Sequence, residues 1–104
     1  MKSYGDYREF IKVIREAIEG RKVLQLLYHP RNQPAAARRI NPYAVHLHNG
    51  SLYVIGHCHC RKDIITFVVD RMQKIKLTEK SFTLSPGFSV ESYLRHSFGM
   101  FTEE

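Results

Sequence analysis

The dipeptide Asn49-Gly50 constrains the fold of this chain more than any other feature. A two-residue type I′ turn needs positive φ at both central positions, which Asn and Gly tolerate. Stretches suited to extended structure flank it, Tyr43 to His48 on one side and Ser51 to His59 on the other. The pair therefore predicts an antiparallel hairpin, and with it a chain whose centre is sheet.

The segment before the hairpin has a different period. Tyr7, Ile11, Ile14 and Ile18 recur at helical spacing, widened by Phe10 and Ala17, so Tyr7 to Glu19 reads as an amphipathic helix. Asp6 with Glu9 three residues later resembles a capping box, and Gly20 is placed to end the helix in a left-handed conformation. Lys22 to Tyr28 is then a short apolar run suited to a buried strand. His29 to Ala37, broken by Pro30 and Pro34, is a loop. Extended structure restarts at Arg39-Ile40 and is broken or bent at Asn41-Pro42, because a residue before proline avoids the helical region. Cys60 to Asp63 is a turn, and Ile64 to Val69 and Lys74 to Thr78 are two further strands. Ser89 or Ser92 can cap a short helix around Val90 to His96. One helix followed by about five closely spaced strands predicts a mostly β, α+β fold: a small bent sheet or barrel with an N-terminal helix and a short C-terminal helix. A chain of 104 residues fits one domain, taken as 1–104.

Charge is distributed unevenly. The net charge is +6, and residues 21–76 hold ten basic side chains against only Asp63 and Asp70. The middle of the chain carries the positive field, so a polyanion is the natural partner class. No apolar run approaches the roughly 18 residues of a membrane span. Met1 to Phe10 is polar and mixed in charge, unlike a signal peptide. A cytoplasmic domain with no membrane partner is expected. Cys58 and Cys60 are expected as reduced thiols, since a disulfide between strand residues i and i+2 is strained. The run His57-Cys58-His59-Cys60 is a poor zinc signature, because structural sites bring ligand pairs from separated segments at wider spacing. No cofactor is expected. Nor is an enzyme, since no glycine-rich phosphate loop, H-E-x-x-H or nucleophile elbow is present.

Several segments taken in order resemble the WYL domain, named for a Trp-Tyr-Leu triplet after a glycine turn. The triplet stands here as Leu52-Tyr53-Val54, within Asn41 to Gly56. Ala17-Ile18 with Arg21-Lys22-Val23 is similar to the opening helix and first strand, which ends at a tyrosine, here Tyr28. Arg38 to Tyr43 is similar to Arg-x-aliphatic-x-Pro-Tyr, and Thr66 to Met72 to Thr-Phe-x-x-Asp-Arg-Ile. Phe88 to Phe101 resembles the segment leading toward a C-terminal extension. Three positions depart from the pattern. Leu52 replaces the tryptophan, Pro30 stands where a small hydroxyl residue is common, and Ile65 stands where an arginine is expected.

The resemblance implies an Sm-like or SH3-like barrel and a ligand-sensing role in a bacterial transcriptional regulator, usually behind a winged helix-turn-helix that this chain lacks. The chain then reads as a fragment of a longer regulator or a small stand-alone relative, and its apolar Phe98 to Phe101 tail favours the fragment. The resemblance also implies a basic groove for nucleic acid or a nucleotide-type anion, with Arg38, Arg61 and Arg71 as phosphate ligands. Guanidinium forks suit that task because they bind phosphate oxygens in a bidentate way. Tyr43 and Tyr53 are candidates to stack a base. His46 and His57 are candidates to shape the site, and they would raise affinity as pH falls towards about 6. Partners would include the DNA-binding domain of the same full-length protein and a second copy in a homodimer. The competing reading is a dimerisation or protein-interaction module with no small ligand.

Overall fold

The computed structural model describes residues 7–97. Helix α1 (Arg8–Gly20) is followed by strands β1 (Lys22–Tyr28), β2 (Ala36–His48), β3 (Ser51–Cys58) and β4 (Asp63–Val68). A single 3₁₀ turn (Val69–Arg71) leads into β5 (Met72–Ser81), and helix α2 (Val90–Ser97) ends the described chain. All strand pairs are antiparallel and the order across the sheet is β4-β3-β2-β1-β5. The fold is thus the mostly β arrangement expected, with a helix at each end.

The order has a geometric consequence. β4 and β5 are opposite edges of the sheet, yet only Val69, Asp70 and Arg71 separate them. Four Cα steps span at most roughly 15 Å, whereas the edges of a flat five-stranded sheet lie about 19 Å apart. The sheet must therefore curl until its edges approach. Two hydrogen bonds bridge the seam that remains. The Val68 N–H donates to the Tyr28 hydroxyl at 2.9 Å, and the His29 N–H donates to the Arg71 carbonyl at 3.0 Å.

Alternation assigns the faces. Leu24 lies opposite Ile40 and Leu77, and Leu26 opposite Arg38 and Ile75. Val54 lies opposite Val45 and Phe67, and Ile40 opposite Cys58. This concave face carries the core of Leu24, Leu26, Tyr28, Ile40, Val54, Cys58, Phe67 and Met72, closed by Ile14 and Ala17 of α1. The apolar stripe of α1 is rotated from the expected one. Tyr7, Phe10, Val13 and Ile18 pack around the core; Val13 joins the stripe beside Phe10 and Ala17, and Ile11 is half-buried outside that set. On the opposite face the segment after β5 folds back. Tyr43 meets Phe88 and Phe82 at ring separations of 4.8 and 5.9 Å, and the fully buried Ile55 points to this side.

The hairpin is as expected, with Asn49 at φ 49° and Gly50 at φ 79°. Strand β2 is longer than the sequence suggested. It runs from Ala36 straight through Asn41-Pro42, which bends it instead of breaking it. The register slips between Pro42 and Ala44, leaving Tyr43 as the extra residue of a bulge. Gly56 sits opposite Pro42, and a Cβ there would lie 2.6 Å from the Asn41 carbonyl oxygen. One local expectation is corrected, and a second falls outside the described residues. The left-handed residue after α1 is Arg21 (φ 56°), since the helix retains Gly20 as its last residue. The helix starts from Tyr7 without a side-chain cap, while Asp6 of the expected capping box lies outside the described residues, as does Phe98 to Phe101. Helix α2 is capped as anticipated, by Ser89 accepting the Ser92 N–H at 3.1 Å.

Candidate anion-binding site

A hollow opens along the seam between β4 and the end of β1. Its main cavity, about 880 Å³, is walled by Tyr28 of β1, Arg31 of the β1–β2 loop, Ser51 and Tyr53 of β3, and Thr66 and Val68 of β4. Asp70 and Arg71 of the 3₁₀ turn and His96 and Ser97 of α2 complete it. A second cavity, about 340 Å³, continues past Arg31, Asp70 and Arg71 to His29, Pro30, Asn32 and Gln73. A third, about 140 Å³, lies on the other side of Tyr28 and Thr66 and is lined by Pro30, Arg38, Cys58, Arg61, Ile65 and Phe67. Tyr28 and Thr66 belong to both the first and third cavities, and Pro30 to both the second and third. The hollows are therefore neighbours along one seam.

Each wall has a local cause. Tyr28 ends β1 on the concave face, where its ring meets Phe67 edge-on at 5.2 Å and its hydroxyl reaches the β4 backbone. Burial pushes this phenol above its ordinary value of 10.0, opposed by the Val68 N–H and the Arg71 charge. The hydroxyl therefore keeps its proton at neutral pH while accepting the amide. Amides of alternate residues in an antiparallel strand point the same way. The Val68 N–H faces the seam, so the Thr66 N–H does too. The Thr66 hydroxyl lies 2.8 Å from that of Tyr93, which ties α2 to β4 and positions His96 and Ser97 at the mouth. The Tyr7 hydroxyl donates to the Asp70 carbonyl at 3.2 Å, anchoring the turn that carries Arg71.

Of the residues singled out in the sequence, Arg38 and Arg61 face the same small hollow, and Arg71 and Tyr53 line the adjoining large one. Tyr43 is elsewhere. It is buried among Phe82 and Phe88, and its hydroxyl is 2.9 Å from the Ser85 hydroxyl. The segment after β5 explains this, since its Phe82, Ser85 and Phe88 close over the Tyr43 ring. His46 is paired with Tyr53 across the hairpin and stacks on His48 at 5.8 Å, but it is not in the cavity wall. His57 lies on the convex face with His59, at a ring separation of 6.3 Å. An acid-enhanced affinity therefore has no imidazole of His46 or His57 in the wall to act through. His59 Nε2 is 2.7 Å from Asn41 Oδ1. Its pKa lies below the ordinary 6.5, first through burial and then through the positive field of His57, Arg39 and Lys80.

Arg31, Thr66, Asp70 and His96 complete the cavity and were not marked by the sequence. Arg31 was visible only as one cation of a basic run, and His96 as a residue of a terminal helix. Among the described residues no group of three or more His, Cys, Asp or Glu is arranged to hold a metal ion, and no helix is long and apolar enough to cross a membrane.

Comparison with known proteins follows the same lines. No curated protein matches the chain. Among solved structures, proteasome accessory factor B/C (PafBC) of Arthrobacter aurescens superposes with a TM-score of 0.72 at 17% sequence identity, over 80% of this chain. The chain spans only 13% of that protein, and at this identity the likeness is one of fold. The family model for the WYL domain matches residues 9–77, which run from the first turn of α1 into β5 and include every strand of the curled sheet. With more than half of its length matched, this chain belongs to the WYL domain family.

Proposed function

We propose that this chain is the ligand-sensing WYL domain of a bacterial transcriptional regulator, and that it binds a nucleic-acid or nucleotide-type anion along the β4 seam. The observation that carries the reading is the convergence of four arginines from four separate segments. Arg31, Arg38, Arg61 and Arg71 line adjoining cavities that share Tyr28, Thr66 and Pro30. Guanidinium forks bind phosphate oxygens in pairs, and an outward strand amide such as Thr66 N–H adds a fixed donor. Tyr53 supplies a ring face for a base or sugar, and Asp70 an acceptor for an amino or hydroxyl group. Recognition and positioning, without covalent chemistry, account for these groups. In the full-length regulator, capture would shift the equilibrium of an attached DNA-binding domain through differential affinity. Such a regulator works in the cytoplasm.

The test is fluorescence anisotropy with a labelled single-stranded oligonucleotide over a range of salt. The logarithm of the binding constant is expected to fall linearly with log salt, and R71A to make the slope shallower by about 0.7 for each phosphate left without its cation. Salt-independent binding, or a slope unchanged in R31A, R38A, R61A and R71A alike, would overturn the proposal. A second reading, a dimerisation surface, is favoured by one observation. Val45 and Leu47 on the hairpin are 41% and 64% exposed although they face the apolar side of the sheet. Sedimentation of the wild type against L47E separates the two readings, because a monomer unaffected by L47E removes the second.

A further inference from the structure

We infer that Cys58 and Cys60 form a reversible dithiol–disulfide pair, a modification site on the rim of the arginine-lined hollow that small peroxides oxidise. Two residues apart in a strand, side chains on one face are separated by a rise of about 6.8 Å. Here β3 ends at Cys58 and the chain turns. The Lys62 N–H donates to the Cys58 carbonyl at 2.7 Å, the His59 N–H donates to the Arg39 carbonyl at 2.9 Å, and Lys62 takes φ 57°. At this turn the two sulfurs lie 3.7 Å apart, in van der Waals contact.

Their surroundings divide the work. Cys60 is exposed and Cys58 is 1% exposed. Peroxide reaches Cys60 first. The Cys60 thiolate attacks one peroxide oxygen, the O–O bond breaks, and hydroxide leaves, so the sulfur is oxidised to a sulfenic acid. The Cys58 sulfur then attacks the Cys60 sulfur. The S–O bond breaks, a second water leaves with the Cys58 proton, and the disulfide forms. Two electrons pass from the thiol pair to the peroxide, which is reduced to water. Closing the gap to a bond of about 2.05 Å requires movement, and the exposed turn is the element able to give. The ring is strained, so thiols reduce it readily.

Arg61 follows Cys60 directly, and Cys58 shares its hollow with Arg38 and Arg61. Oxidation draws the turn toward β3 and moves Arg61 against Arg38. This consequence rests on the anion-binding reading, whereas the thiol chemistry does not.

The experiment is intact mass spectrometry of the reduced protein treated with limiting hydrogen peroxide. The expected product is a monomer lighter by two hydrogen atoms, mapped by digestion to the segment holding both cysteines and restored by dithiothreitol. C60S abolishes it. C58S stops at a sulfenic acid on Cys60 that dimedone traps. Accumulation of sulfinic acid or intermolecular dimers without that monomer, or C60S oxidising like the wild type, would overturn the site. C60S changes an exposed side chain and keeps the test independent of any folding defect in C58S. Oxidised and reduced wild type binding the labelled oligonucleotide equally would overturn the coupling to Arg61 while leaving the disulfide in place.

Discussion

Replacing Gly56 by alanine tests the geometry on which the seam depends. Gly56 lies in β3 opposite Pro42 and beside the bulge at Tyr43. A Cβ built there would be 2.6 Å from the Asn41 carbonyl oxygen, 3.2 Å from the Asn41 carbonyl carbon and 3.2 Å from Pro42 Cα. All three are backbone atoms, so no flexible side chain can swing away. Pro42 is itself fully buried, which blocks retreat of β2. Overpacking of this kind costs about 1–3 kcal/mol, occasionally more. The greater strand preference of alanine offsets only about 0.5–1 kcal/mol. A net loss of about 1–2 kcal/mol is expected, or a drop in Tm of roughly 4–16 °C for a domain of this size. Urea and thermal unfolding followed by circular dichroism measure it. Gly50→Ala is the control. Nothing lies within 4 Å of a Cβ there, but φ is +79°, so the loss is conformational and about 1 kcal/mol. If Gly56→Ala unfolds within about 0.5 kcal/mol of the wild type, the close approach of β2 and β3 is wrong, and with it the placement of Tyr53 on the seam.

Tyr28→Phe deprives the Val68 N–H of its acceptor; urea unfolding should show a loss of about 1–2 kcal/mol, and an unchanged midpoint would mean the seam is not bridged there. Ser89→Ala removes the N-cap of α2; hydrogen exchange should accelerate in residues 90–97, with a local loss of about 1 kcal/mol and weaker oligonucleotide binding through His96 and Ser97, while uniform exchange across the protein would contradict a local role. The His59 imidazole should titrate by NMR below 6.5, and R39A should move its midpoint upward. Because the folded pKa is depressed, the associated stability is fully present above pH 6.5 and falls as pH drops from 6.5 through the folded pKa. It is small for an exposed ring. A midpoint above 6.5 would remove the basic field inferred around Arg39 and Lys80.

Much of this protein is legible in its residues alone. The helical stripe, the Asn49-Gly50 turn, the strand runs and the Ser89 cap are all signals carried within a few residues, and local backbone sterics enforce them. Where the structure departs from these signals, the deciding interaction comes from far along the chain. Val13 joins the packed stripe and Ile11 lies outside it because β1, β2 and β5 set which side of α1 is covered. Tyr43 is covered because the segment after β5 folds back and sets Phe82 and Phe88 on its ring.

The candidate site divides the same way. A cationic centre, and with it the expectation of an anionic partner, comes from counting charges between residues 21 and 76. Period and turn chemistry likewise dictate a small antiparallel sheet with a helix before it. Which cations stand together is another matter. Arg31 and Arg71 are forty residues apart, yet they share a cavity because a three-residue turn forces opposite sheet edges to meet. The 3.7 Å between the two thiols likewise arises from a turn that departs from strand alternation. Short-range patterning chooses elements, because backbone preferences act over a few residues. Curvature and closure choose neighbours, because they depend on how the whole sheet buries its concave face.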